Sequence, residues 1–418
     1  MKIQSNRLLC RSVLALMGLA AAWPSAHATL LYWDSNDVTP GAGAAPYGTW
    51  GVNAFWNTDA AGGAGTFATT TTSDDDLQFV AGPTGGSGDT AYTVTVDSPQ
   101  SAKSLTFLNP ASPTLTGGIL SVGAGGISVP QMVTSAVVAG SAVSGTKIYT
   151  LDTAVLGLVN ATVSGTGIPV GTTVTSVTGT PAVTLNLSNF TTATVTNATF
   201  TPVNANRVTF NSTLNLTANQ TWAFNNNSGN AYIHFACDFT GSGNITQTGI
   251  GGNRIYAGSS AGWTGALTLN GSGLTFGTSQ QAQTRLNHTT LTMRNAGTSN
   301  PSMTIYLDNG GVTNFPNNIV FDNAGGAGWN FNQNNGSGSV GAVEVLSGTL
   351  SGTTNGQVLF SGGNGSDLSG LGLHGQIRLS GNNSGWTSTR GDDAVWIRTG
   401  YLYLDHANAL GASNSISM

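Results

Sequence analysis

Charge is scarce in this 418-residue chain: Asp, Glu, Lys and Arg together make up 7% of it, where an ordinary domain carries ~25%. Solubility must therefore come from Thr, Ser, Asn and Gly. The net charge is −5 and no basic patch stands in the sequence, which argues against nucleic acid or an anionic membrane as partner. Cysteine is nearly absent. Cys10 falls in the N-terminal leader described below, so Cys237 is the single mature cysteine and no intrachain disulfide is available. In Phe235-Ala236-Cys237-Asp238-Phe239 it reads as a small buried residue beside a strand rather than a reactive thiol. No later stretch approaches the ~20 continuous apolar residues of a spanning helix, so no spanning membrane segment is expected.

Lys2, Arg7 and Arg11 give the N-terminus a positive start, Leu8 to Leu19 hold an apolar run, and Ala26-His27-Ala28 fits the small-x-small cleavage rule. The pattern predicts a secretory signal peptide over 1–28 and a mature chain that leaves the cytoplasm.

What the chain has in quantity is glycine, 59 residues of it, and a spaced series of apolar-x-apolar triplets. They include Val208-Thr209-Phe210, Leu214-Asn215-Leu216, Leu267-Thr268-Leu269, Leu291-Thr292-Met293, Ile305-Tyr306-Leu307, Val343-Glu344-Val345, Ile377-Arg378-Leu379 and Leu402-Tyr403-Leu404. In a strand successive side chains alternate faces, so each triplet points two apolar residues inward and its centre outward. Strands this short cannot bury an apolar face alone, whereas coils of roughly 20 to 25 residues stacked on one axis can. The expected fold is all-β: a right-handed parallel β-helix, or β-solenoid, with an aromatic-rich N-terminal cap and a small β insertion. A string of β-sandwiches is the less economical alternative.

Residues 29–90 form the expected cap, with Trp33, Trp50 and Trp56 closing the open end of the core. A carbohydrate-stacking platform is the competing reading of those rings. Residues 91–130 read as the first coils. The window 131–203 is Val/Thr/Ala-rich and reads as an inserted β module, after which Asn-rich coils run over 204–418.

The succession Trp33-Asp34, Thr49-Trp50, Phe55-Trp56-Asn57, Phe79, Tyr92 to Val96, Ser104-Leu105-Thr106-Phe107 and Gly117-Gly118-Ile119-Leu120 resembles the opening of proteins with autotransporter-associated β-strand repeats. Trp263-Thr264-Gly265-Ala266-Leu267-Thr268-Leu269 and the stretch from Ile377 to Gly411 are similar to the later repeats of that family. Val163 to Val177 separately resembles small β modules of phage-tail and bacterial surface proteins. The first resemblance implies a passenger-like right-handed parallel β-helix outside a Gram-negative-type bacterium. The chain departs from autotransporters by stopping at Ser417-Met418 without a membrane barrel, so self-translocation is not expected.

Catalytic chemistry has little to stand on. Hydrolysis of a glycoside needs two carboxylates about 5 to 10 Å apart. Asp392-Asp393 sits at an expected turn, Asp74-Asp75-Asp76 has no His or Arg brought beside it in sequence, and Glu344, the one glutamate, is expected to be a solvated outward residue. The mature histidines lack metal spacing, and Asp308-Asn309-Gly310 and Asp322-Asn323-Ala324-Gly325-Gly326 are ordinary turn chemistry, so no catalytic residue, metal or cofactor is expected. Asn225-Asn226-Asn227, Asn317-Asn318 and Asn382-Asn383 suit amide ladders or turns between coils, with sugar binding as the alternative.

The expected function is that of a secreted structural or adhesive rod acting by avidity on cells, matrix or its own copies, with self-association through an open C-terminal coil. The alternative is a polysaccharide-binding or polysaccharide-degrading β-helix using the outward aromatics Tyr306, Trp396 and Tyr403.

Overall fold

The computed structural model describes residues 28–43, 46–81, 91–108, 112–130, 136–152, 161–178, 184–201, 207–224, 232–249, 253–256, 260–270, 274–276, 290–294, 302–307, 312–322, 329–335, 343–361, 376–390, 394–412 and 415–417. The expected leader lies almost wholly outside them. All of the described regular structure is strand.

Most strands belong to three sheets of 16, 12 and 4 strands, in which segments far apart in sequence pair side by side in parallel. Register is kept from one turn of chain to the next. Ile245 stands against Leu267, Leu267 against Leu291, Leu291 against Ile319, and Ile319 against Leu350. The triplet alternation explains this, because sliding any strand by one residue would turn its apolar pair to water. Like residues therefore stack on like: Phe79 lies on Phe107 with ring centroids 4.6 Å apart, Phe210 on Phe235 at 5.1 Å, and Phe331 on Phe360 at 5.2 Å. Gly352 interrupts one such column between Phe321 and Trp386. Its φ of +85° and a Cβ position only 2.2 Å from the Phe321 carbonyl oxygen exclude any other residue, and across the gap the two rings approach to 5.4 Å.

Among the described residues the triplet rule fails at Leu402–Leu404, where Leu404 is 44% exposed on the last strand of its sheet, and at Val343–Val345, where the two faces are exchanged. Val343 and Val345 are half-buried, while Glu344 and Leu346 face inward, in register with the buried Ile377 and Leu379. Glu344 is therefore a core residue, 1% exposed, and not the solvated outward residue expected. With Val343, Val345 and Leu346 all apolar, either face of the strand is a workable core face, and pairing with Gln376–Leu379 decides between them.

At the N-terminal end the parallel order stops. Leu30–Trp33 pairs antiparallel with Trp56–Asn57, which pairs antiparallel with Phe67–Ala68. Trp33, Trp50 and Trp56 are fully buried there, and Trp56 meets each of the other two edge-on at 5.0 Å. Rings so enclosed close the core and offer no stacking platform.

Between Ile119–Val129 and Arg207–Phe210 lies a six-stranded antiparallel sheet built from Ala136–Ala142, Ile148–Leu151, Thr162–Ser164, Val174–Thr178, Thr184–Leu187 and Val195–Thr201. Its two edge strands meet through Val163 N–H to Thr172 O at 2.8 Å and Val174 N–H to Ala161 O at 3.0 Å, so the sheet closes on itself as a small barrel. The barrel has its own core, including Tyr149, Leu185 and Phe200. The parallel stack runs past it, since Ile119–Val129 pairs directly with Thr213–Leu216 and Gln220–Phe224.

Candidate functional site

An open groove of about 350 Å³ runs along the outer face of the largest sheet, lined by Ala124, Asn219, Gln220, Thr221, Asn244, Thr246, Ala266 and Thr268. Its two walls are two columns of equivalent positions. Thr221, Thr246, Thr268 and Thr292 stand in successive strands in one register, pointing away from the apolar column of Ile245, Leu267 and Leu291. Neighbouring strands are ~4.8 Å apart, so a threonine side chain recurs at that interval along the stacking axis.

The second column precedes each strand by one residue and is fixed by its own amides. Asn219 Oδ1 accepts from Asn244 N–H at 2.9 Å, and Asn244 Oδ1 accepts from Ala266 N–H at 2.8 Å. The same clip recurs further along, where Asn318 Oδ1 accepts from Thr349 N–H at 3.0 Å. Within the core beneath, Gln220 Oε1 accepts from the Trp222 indole at 2.7 Å. The groove thus offers a repeating, uncharged set of hydroxyl and amide groups on a rigid sheet. No ionisable side chain lines it.

A second groove, about 420 Å³, lies beside Gly48–Trp50 and is lined by Tyr47, Gly48, Thr49, Ala91, Tyr92, Thr93 and Thr95. Tyr47 is exposed there, whereas Tyr92 is buried and its phenol is pushed far above its ordinary range by burial alone.

Two of the surface aromatics expected to bind ligand, Trp396 and Tyr403, are exposed on different sheets. Trp396 is 39% exposed on the 12-stranded sheet, and Tyr403, 40% exposed, stands on the four-stranded one. Tyr403 instead neighbours Tyr401, with centroids 6.4 Å apart, and carries the Arg378 guanidinium 5.3 Å above its ring. That guanidinium is forked onto Asp405 at 2.6 and 3.0 Å, and the carboxylate raises its already high pKa. The backbone of Tyr306 belongs to Ser302–Leu307, but its side chain lies outside the described residues, as do Asp308-Asn309-Gly310, Asp392-Asp393 and the Asn225 triplet.

The carboxylates of Asp75 and Asp76 are tied into structure. Asp75 accepts from Thr72, and Asp76 accepts from Lys103 Nζ at 2.9 Å and from Ser104 Oγ at 2.5 Å. Those two hydrogen bonds and the lysine charge outweigh desolvation and lower the Asp76 pKa. Asp322, the first residue of the turn expected at 322–326, pairs with Arg294 of the neighbouring strand at 2.6 Å. No cluster of three or more His, Cys, Asp or Glu able to hold a metal occurs among the described residues.

The threonine and asparagine columns carry a sequence signal that the triplets overshadow. Asn219-Gln220-Thr221, Asn244-Ile245-Thr246 and Thr290-Leu291-Thr292 repeat one polar-x-Thr pattern offset by one residue from the triplets, and Ala266-Leu267-Thr268 keeps its threonine.

No family model and no curated protein matches the chain. Among solved structures, the Gp54 tailspike of Acinetobacter baumannii bacteriophage AP22, in complex with A. baumannii capsular saccharide, is similar at 13% identity. The alignment covers 78% of this chain and 68% of that one with a TM-score of 0.19, a likeness too distant to carry an argument.

Proposed function

We propose that the chain is a secreted right-handed parallel β-helix of the autotransporter-associated repeat kind, displayed outside a Gram-negative-type bacterium, that holds a linear, uncharged polysaccharide along the Asn/Thr groove. The observation carrying this reading is the in-register pair of columns at Asn219–Asn244 and Thr221–Thr246–Thr268. A polymer of sugars presents donors and acceptors at regular intervals, and a groove with regular hydroxyls and amides meets them repeatedly. Each contact is weak. Several along one rigid face add by avidity, the mechanism expected of an adhesive rod.

Binding without cleavage suits this groove, since hydrolysis needs a pair of carboxylates and its lining has none. The parallel stacking, the Asn-rich turns and the predicted leader support the family and the extracellular setting.

Affinity electrophoresis of the mature chain in gels cast with neutral or anionic polysaccharides tests the reading. Retardation by a neutral polymer is expected, with a roughly tenfold or greater loss of affinity in Thr246→Val/Thr268→Val at unchanged melting temperature. Equal migration of that variant and the parent would move the site elsewhere, and no retardation by any polysaccharide would remove the proposal.

A further inference from the structure

The small barrel carries a second surface that owes nothing to the groove. The chain enters it at Ala136 and leaves it at Thr201, and the antiparallel pairing of Ala136 with Phe200 places both ends of the module together. The alternating strand directions then bring the turns at 143–147, 165–173 and 188–194 to the opposite end. Hydrogen bonds pin the three turns to one another. Gly145 N–H donates to Thr191 O at 2.8 Å, Thr192 N–H to Gly167 O at 2.9 Å, and Asn189 Nδ2 to Thr172 Oγ1 at 3.3 Å.

This braced tip turns apolar side chains outward. Val143 is 68% exposed, Phe190 61%, and Val170 is at the full exposure of an extended chain. A fixed backbone that holds three large apolar groups in water, at the end farthest from its attachment, marks a contact surface. Lys147 is the one ionisable residue in the three turns, and its Nζ sits 4.9 Å from the centre of the Phe190 ring. The net acidity that weighs against an anionic membrane for the chain as a whole does not extend to these turns, which hold Lys147 and no carboxylate.

We propose that the barrel tip is a lipid-contact site, which inserts Val143, Val170 and Phe190 into the interface of a bilayer while Lys147 meets an anionic headgroup. A convex apolar tip needs a shaped pocket in a protein partner but none in a fluid acyl layer. The lysine, with its ammonium over the face of the Phe190 ring, brings a positive charge beside the apolar tip and fits the boundary between acyl chains and headgroups. The interaction is peripheral: the tip touches the membrane and does not cross it.

Flotation of the full mature chain with phosphatidylcholine vesicles, with and without phosphatidylglycerol, tests this. Co-flotation with the anionic vesicles is expected, weaker with phosphatidylcholine alone, and reduced roughly tenfold or more in Val170→Asp/Phe190→Ser. Phe190→Trp supplies a folding-independent readout, because the emission it adds over that of the parent chain must shift to the blue when anionic vesicles are added. Absence of flotation by the parent chain, or undiminished flotation of the double variant with its circular dichroism intact, overturns the proposal. Equal binding to both vesicle types overturns the role of Lys147. Concentration-dependent dimerisation that the same variant abolishes would assign the tip to a second copy of the chain instead.

Discussion

Glu344 and Ile377 occupy the same inward position on adjacent strands, so a carboxyl group fills a place that the next coil gives to a branched alkyl chain. Neither Glu344 oxygen has a hydrogen-bond partner, and burial alone pushes the carboxyl up to about 8. The folded state therefore holds this proton more tightly than the unfolded chain, whose carboxyl titrates near 4.5. Its contribution to stability is fully present below about pH 4.5, declines as pH rises towards about 8, and is level above that. Denaturation midpoints measured across this range should fall with pH in the parent. They should be flatter in Glu344→Gln, and Glu344→Leu should be more stable by a few kcal/mol at pH 8 and above.

Asn383 joins three turns of the chain. Its Oδ1 accepts from Leu350 N–H at 2.7 Å, and its Nδ2 donates to Ala409 O at 2.6 Å, with the residue 1% exposed. Asn383→Ala strands a buried donor and a buried acceptor, and should cost about 2 to 4 kcal/mol in urea unfolding. Asn219→Ala removes a similar clip from an exposed position, where water replaces the amide, and should cost under about 1 kcal/mol.

The Cys237 thiol is 2% exposed, and burial drives its pKa far above its ordinary range. Native protein at pH 8 should resist iodoacetamide, and one thiol should be labelled once urea unfolds the chain. Fast labelling of the native state would show the coil around it opening.

Tyr149 is the polar centre of the barrel. Its hydroxyl donates to Val138 O at 3.0 Å and accepts from Ala198 N–H at 2.9 Å. Tyr149→Phe leaves both backbone groups unpaired inside the barrel and should lower its stability by about 1 to 3 kcal/mol. Amide exchange should quicken at Ala198 and leave the parallel sheets unchanged, because the two cores are separate.

The all-β class and the parallel stacking were legible because period-2 alternation in Val208–Phe210, Leu267–Leu269 or Ile377–Leu379 admits one buried face. Val343–Leu346 was not legible, since three of its four residues are apolar and only pairing with the next coil selects a face. The same alternation predicts Trp396 and Tyr403 outward, and both are exposed, although beside Tyr403 the expected inward Leu404 is exposed as well. The separation of the two rings onto different sheets does not follow from it, because the lengths of the turns between triplets leave open which strand joins which stack.

By itself, then, the sequence determined the strand class, the core residues of the clean triplets, and an uncharged surface in need of polar repeats. These are local consequences of side-chain alternation and composition. Tertiary structure alone decided the burial of Glu344, the alignment of Asn219 with Asn244 and of Thr221 with Thr246, and the gathering of Val143, Val170 and Phe190 at one end of the barrel. Each depends on strand pairing between residues tens of positions apart, and the pairing energy resides in neither partner taken alone.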